Sequence, residues 1–124
     1  MKSIPANQAG ILNAQRVIDD LRGDIQGYRE MVEVCLDYLS SLHEQIAGAH
    51  EREALLTLIH EAANSCGVVG ADAAAQTIRT AEIQFHNREP GASAEQSARV
   101  TQEELKRVCA TLESWLVNHR TAVQ

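Results

Sequence analysis

His60 opens the run His60-Glu-Ala-Ala-Asn-Ser-Cys-Gly-Val-Val-Gly-Ala71, in which one imidazole is followed by small residues. In a helix of about 3.6 residues per turn, Ala63, Asn64 and Gly67 share a side with His60, so the ring rises from a low strip that another protein's backbone can approach. An imidazole titrates near about 6.5 and keeps a neutral, nucleophilic ring nitrogen at neutral pH, which suits a histidine modified by a partner. Other chemistry finds less support. His43, His50, His86 and His119 are scattered over different segments with no i, i+4 pair, so they are assigned no metal. Cys35, Cys66 and Cys109 form no CxxC pair and read as buried, reduced thiols, neither a zinc site nor a disulfide framework. No acidic cluster has the pattern of a magnesium site, and no glycine-rich loop would hold a phosphate.

The elements that must position His60 are helical. Ile11, Ala14, Val17, Ile18 and Leu21 define a short leading helix over about 13–22, with Asn13 as N-cap and Gly23 as its stop. Asp24 then caps a longer helix, about 25–47, with an inner stripe from Ile25 through Tyr28, Val32, Cys35, Leu39 and Leu42 to Ile46. Leu55, Leu58, Ile59, Ala62 and Cys66 form the stripe of a helix over about 51–66, with His60 and Asn64 rotated off it. Gly67 and Gly70 break that pattern, and Ala74, Ala75, Ile78, Ala81 and Phe85 carry the buried side of a helix over about 71–87. After Pro90-Gly91, Ser93 with Gln96 resembles a capping box and opens a helix over about 94–118, with inner residues running from Ala98 to Trp115 and Leu116. The tail from His119 is expected to fray.

The length of 124 residues fits one domain, 1–124, and the composition, 44% hydrophobic but 3% aromatic, favours helices packed through aliphatic side chains. The expected fold is all-α, an antiparallel up-down four-helix bundle with the additional short N-terminal helix closing one end. A net charge of −6 opposes binding to nucleic acid or to an anionic membrane surface. No apolar run approaches the length of a membrane span, and Met1-Lys-Ser-Ile-Pro5 lacks the apolar core of a signal peptide, so a cytoplasmic monomer is expected.

The run from His60 to Ala71 resembles the signature of the histidine phosphotransfer (HPt) domains of two-component phosphorelays. In that family the phosphorylated histidine is followed by Lys, Gly, Ser and then Gly-x-x-Gly-Ala. His60 falls on the histidine, Ser65 on the serine, Gly67 and Gly70 on the later glycines, and Ala71 on the alanine. Leu21-Arg-Gly-Asp24 is similar to the Leu-x-Gly-Asp that commonly precedes the family's second helix. The resemblance implies that His60 accepts a phosphoryl group from a receiver-domain aspartate and returns it to another, with response-regulator receiver domains, including that of a hybrid sensor kinase, as partners. It implies no cofactor on this chain, the magnesium belonging to the receiver. Glu82 stands where many members carry a glutamate that orients the imidazole; read from the residues alone, it is equally an ordinary solvated helix glutamate. The chain departs from the pattern at Ala63, in place of the lysine, and Asn64, in place of the glycine. Loss of that ammonium implies a shorter-lived phosphohistidine, replacement by a cation such as Arg79, or no transfer.

The contact floor around His60 is expected to comprise Thr57, Ala63, Asn64 and Gly67, with Leu56 and Glu61 at its margins and Leu56 exposed as part of a docking patch. Ser65 reads as structural, its hydroxyl bonding a carbonyl one turn back. Three other readings remain at this point. They are an HPt-like binding module without transfer, a helical bundle that serves assembly, and a chemotaxis-kinase type of phosphotransfer domain loaded by an attached kinase.

Overall fold

A computed structural model of the chain describes residues 12–119. Among them the protein is all-α, with five helices and no strand: α1 (Ala14–Asp20), α2 (Ile25–Ala47), α3 (Arg52–Val69), α4 (Asp72–His86) and α5 (Ala94–Asn118). Ile11, Met1–Pro5 and the tail beyond His119 lie outside the described residues. No helix among the described residues is long and apolar enough to cross a membrane.

Three helices start where a short polar side chain can accept an orphan amide. Asn13 accepts from the Arg16 amide, Asp24 from Gly27 and Ser93 from Gln96. α1 is shorter than expected because the chain turns at Leu21, and Arg22 and Gly23 take φ values of 59° and 82°. α3 corrects the expected helix end. It runs through Gly67 to Val69, and the break comes at Gly70, which is left-handed with φ 97°. Ala71 N–H then closes the helix by donating to the Cys66 carbonyl at 2.8 Å. α4 follows at once and ends at His86, one residue short of the expected limit.

A single apolar cluster joins all five helices, with Val17, Leu39, Ile59, Ile78 and Leu105 among its buried members. α2 and α4 each pack against both α3 and α5, α3 also touches α5, and α1 lies on α2 and α3. α3 therefore contacts every other helix, so the arc of its surface that is buried is wide. Several expected inner positions are less enclosed: Ile25 in the first turn of α2 is exposed, while Leu58, Cys35 and Cys109 are half-buried. Cys66 sits in the core, and burial pushes its thiol up to about 12.

α1 is tied to the α3–α4 turn. Asn13 N–H donates to the Gly70 carbonyl at 2.7 Å. Arg16 forks onto both oxygens of Asp72 at 3.2 and 2.7 Å, and its Nη2 also donates to the Gly67 carbonyl at 3.0 Å. A Cβ at Gly70 would lie 2.6 Å from the Asn13 carbonyl oxygen, so both the left-handed backbone and the close approach of α1 require glycine there. At the same end, the buried Tyr28 hydroxyl donates to the Val69 carbonyl at 2.7 Å. Trp115 packs edge-on against Tyr28 at 4.8 Å and stacks on His119 at 4.1 Å. His119 Nδ1–H donates to the Trp115 carbonyl at 2.8 Å, and Arg29 holds the His119 carbonyl at 3.0 Å.

Candidate functional site

The turn at Gly70-Ala71 folds α4 back along α3, and His60 and Glu82 lie equally far from Ala71 along the chain. That register brings the Glu82 carboxylate to His60 Nδ1 at 3.0 Å. Because a carboxylate oxygen accepts, Nδ1 carries the proton, and in the neutral ring Nε2 keeps its lone pair. Nε2 makes no hydrogen bond among the described residues. The His60 side chain is 59% exposed and that of Glu82 23%, so the carboxylate lies partly under the ring while the ring stands in solvent.

The ring borders a cleft of about 380 Å³ lined also by Arg79, Glu82, Ile83, His86 and Asn87. Arg79 reaches a second, shallower cleft with Asn64, Gly67 and Val68. A Cβ on Gly67 would lie 3.6 Å from Arg79 Nη2, an ordinary van der Waals contact, so the guanidinium runs beside the strip at position 67. Arg79 makes no hydrogen bond or ion pair among the described residues. The site thus holds a nucleophilic nitrogen, a carboxylate that orients its ring, and an uncommitted cation. It can attack an electrophile that carries negative oxygens.

Of the other residues singled out in the sequence, Thr57 and Asn64 are exposed beside His60 on α3, and Gly67 is half-buried at the edge of the strip. The Thr57 hydroxyl donates to the Glu53 carbonyl at 3.0 Å. Glu61 is half-buried and accepts from the Tyr38 hydroxyl at 2.7 Å, a bond that holds the phenol's pKa up. Ser65 is half-buried on α3, away from the clefts, and Gly70 and Ala71 are buried in the turn. Two expectations are corrected. Leu56 does not lean into solvent but is buried in the core cluster, and Ala63 is fully buried and forms no part of an accessible floor. At about 100° per residue both lie within about 60° of His60 on the helix wheel, on the side where α4 crosses. Gly67, on that same side, faces Ala75 and Arg79 of α4. A side chain at position 63 would therefore meet α4, and the free cation comes from α4 instead.

The sequence reading missed Ile83, His86 and Asn87 in the His60 cleft and Val68 in the second. Ile83 and Val68 are 57% and 54% exposed. The available signal was that each is a large aliphatic residue lying off its helix's buried stripe. It also missed Arg16, whose partners lie far away in sequence. No group of three or more His, Cys, Asp or Glu able to hold a metal occurs among the described residues. Comparisons with family models, curated proteins and solved structures find no match for this chain.

Proposed function

We propose that this chain is a histidine phosphotransfer domain of a two-component phosphorelay, with α2 to α5 forming an antiparallel up-down four-helix bundle and α1 an additional short helix. His60 accepts a phosphoryl group from the aspartate of one receiver domain and passes it to the aspartate of another. The chain has no kinase activity of its own, and the magnesium of the reaction belongs to the receiver. A cytoplasmic monomer that meets receiver domains, including that of a hybrid sensor kinase, is the corresponding setting. The observation that carries this reading is the exposed His60 ring held at Nδ1 by Glu82 with Nε2 left free.

In the forward step the Nε2 lone pair attacks phosphorus, the bond from phosphorus to the aspartyl oxygen breaks, and the carboxylate leaves with its electron pair. The ring then carries the phosphoryl group on Nε2, the original proton on Nδ1 and a positive charge beside the Glu82 carboxylate. That charge is stabilised by a charge-assisted hydrogen bond, and it also makes the ring a good leaving group for the return step. Arg79 supplies the cation for the phosphoryl oxygens that Ala63 lacks. Little covalent work falls to the protein in phosphoryl transfer, so positioning and charge neutralisation dominate.

Incubation with a phosphorylated receiver tests the reading. Acid-labile label is expected on the wild type and none on His60→Gln. The second reading is an HPt-like module that sequesters a regulatory partner without transfer, favoured by alanine at position 63, in place of the family's lysine, which leaves α3 without a cation beside His60. Tight receiver binding with no label on the wild type would establish it in place of the first.

A further inference from the structure

We propose that His86 is a second phosphoryl-binding residue of the His60 cleft, one whose contribution depends on its protonation. The inference rests on the reading of His60 as a phosphoryl acceptor and adds a proton-controlled cation to it. Arg79, Glu82 and His86 occur at i, i+3 and i+7 of α4, hence on one face, and all three line the cleft with His60. Glu82 is engaged by His60 Nδ1, which leaves Arg79 and His86 as the groups able to meet the charge of an incoming phosphoryl group. His86 Nδ1 lies 3.3 Å from the Asn87 side-chain oxygen, an acceptor, so Nδ1 holds a proton there and Nε2 is the nitrogen that gains or loses one. Nε2 of His86 makes no hydrogen bond among the described residues.

The charged surroundings of His86 come from both helices. On α3, His60 shares its cleft, and Arg52 donates to the Phe85 and His86 carbonyls at 2.8 and 3.0 Å. On α4 they are Arg79 and Glu82, and no residue of α1, α2 or α5 lines the cleft. His86 is the last residue of α4. A phosphoryl group on His60 places negative oxygens in the cleft that His86 lines. With Nδ1 engaged at Asn87, Nε2 carries a proton only in the cationic ring, and only that ring can donate from Nε2 to a phosphoryl oxygen.

The test uses the whole chain and phosphoramidate as the phosphoryl donor. The phosphorus–nitrogen bond of the donor breaks, a bond from phosphorus to His60 Nε2 forms, and ammonia leaves with the donor's proton. Rates of loading are measured from about pH 6 to about pH 9 for the wild type, His86→Ala and His86→Lys; taking ratios to His86→Ala at each pH removes the pH dependence that all three share. The wild type is expected to exceed His86→Ala about fivefold near pH 6 and to converge with it near pH 9, while His86→Lys keeps its excess over His86→Ala throughout. His86→Gln replaces His86→Ala if the latter melts at a lower temperature. A wild-type ratio that is flat with pH, or a His86→Lys ratio that falls in parallel with that of the wild type, overturns the role of His86 alone. A folded wild type that takes no label at all overturns the reading of His60, and this inference with it.

Discussion

His60 and His119 occupy opposite kinds of surroundings. His119 stacks on Trp115, gives its Nδ1 proton to a carbonyl of its own helix, and has its own carbonyl held by Arg29. His60 gives the same proton to a carboxylate on a different helix and has no ring against its face. A carbonyl orients an imidazole without neutralising it; a carboxylate also stabilises the ring when it becomes positive. The same side chain therefore closes a helix in one place and stands in solvent with Nε2 unbonded in the other. The two regions divide the work between them, because the aromatic end carries packing and the His60 face carries open, weakly packed polar groups.

The contrast is broken most completely by His60→Gln. Label from a phosphorylated receiver should vanish, while the exposed position keeps unfolding free energy within about 0.5 kcal/mol of the wild type, checked by urea denaturation. Tyr28→Ala is the reciprocal case. It empties a fully buried aromatic site and strips the Val69 carbonyl of its partner, so a loss of about 3–5 kcal/mol is expected in the same experiment, with label retained by the folded fraction.

The buried interior also sets an alkaline limit. The Cys66 thiol moves from 9.0 to about 12 on burial, so the unfolded chain releases its proton first. Stability is full below the lower value and falls as pH rises toward the upper one; the burial of Tyr28 acts in the same sense. Urea midpoints measured across that window should decline, and Cys66→Ala should decline less steeply. Smaller effects sharpen the His60 side. Arg79→Ala should slow loading from a phosphorylated receiver about tenfold through loss of the free guanidinium. Glu82→Gln keeps an acceptor at Nδ1 but removes the charge, and about a three- to fivefold slowing is expected in the same assay, without a change in melting temperature.

Much of the helical framework was legible in the sequence because it rests on local chemistry. Asn13, Asp24 and Ser93 each mark a helix start, where their side chains accept amides three residues on, and Gly23 and Gly70 mark left-handed turns. The fate of Leu56 and Ala63 was not legible. A stripe of apolar residues shows where one neighbour lies, whereas α3 is touched by four, and its buried arc extends into the side that bears His60. Gly67 misled for a related reason. A glycine that stops a helix cannot be told from one that stays helical and faces Arg79 and Ala75 of a neighbouring helix. Long-range ties such as Arg16 to Asp72 leave no periodic trace at all.

The equal spacing of His60 and Glu82 about Ala71 makes this hairpin more sensitive to length than to lettering. Adding or deleting one codon between Glu61 and Glu82 would swing one partner about 100° around its axis and part the pair, even if every remaining residue were kept. Indels in this stretch should therefore be purged from related chains more strictly than point changes along its solvent side.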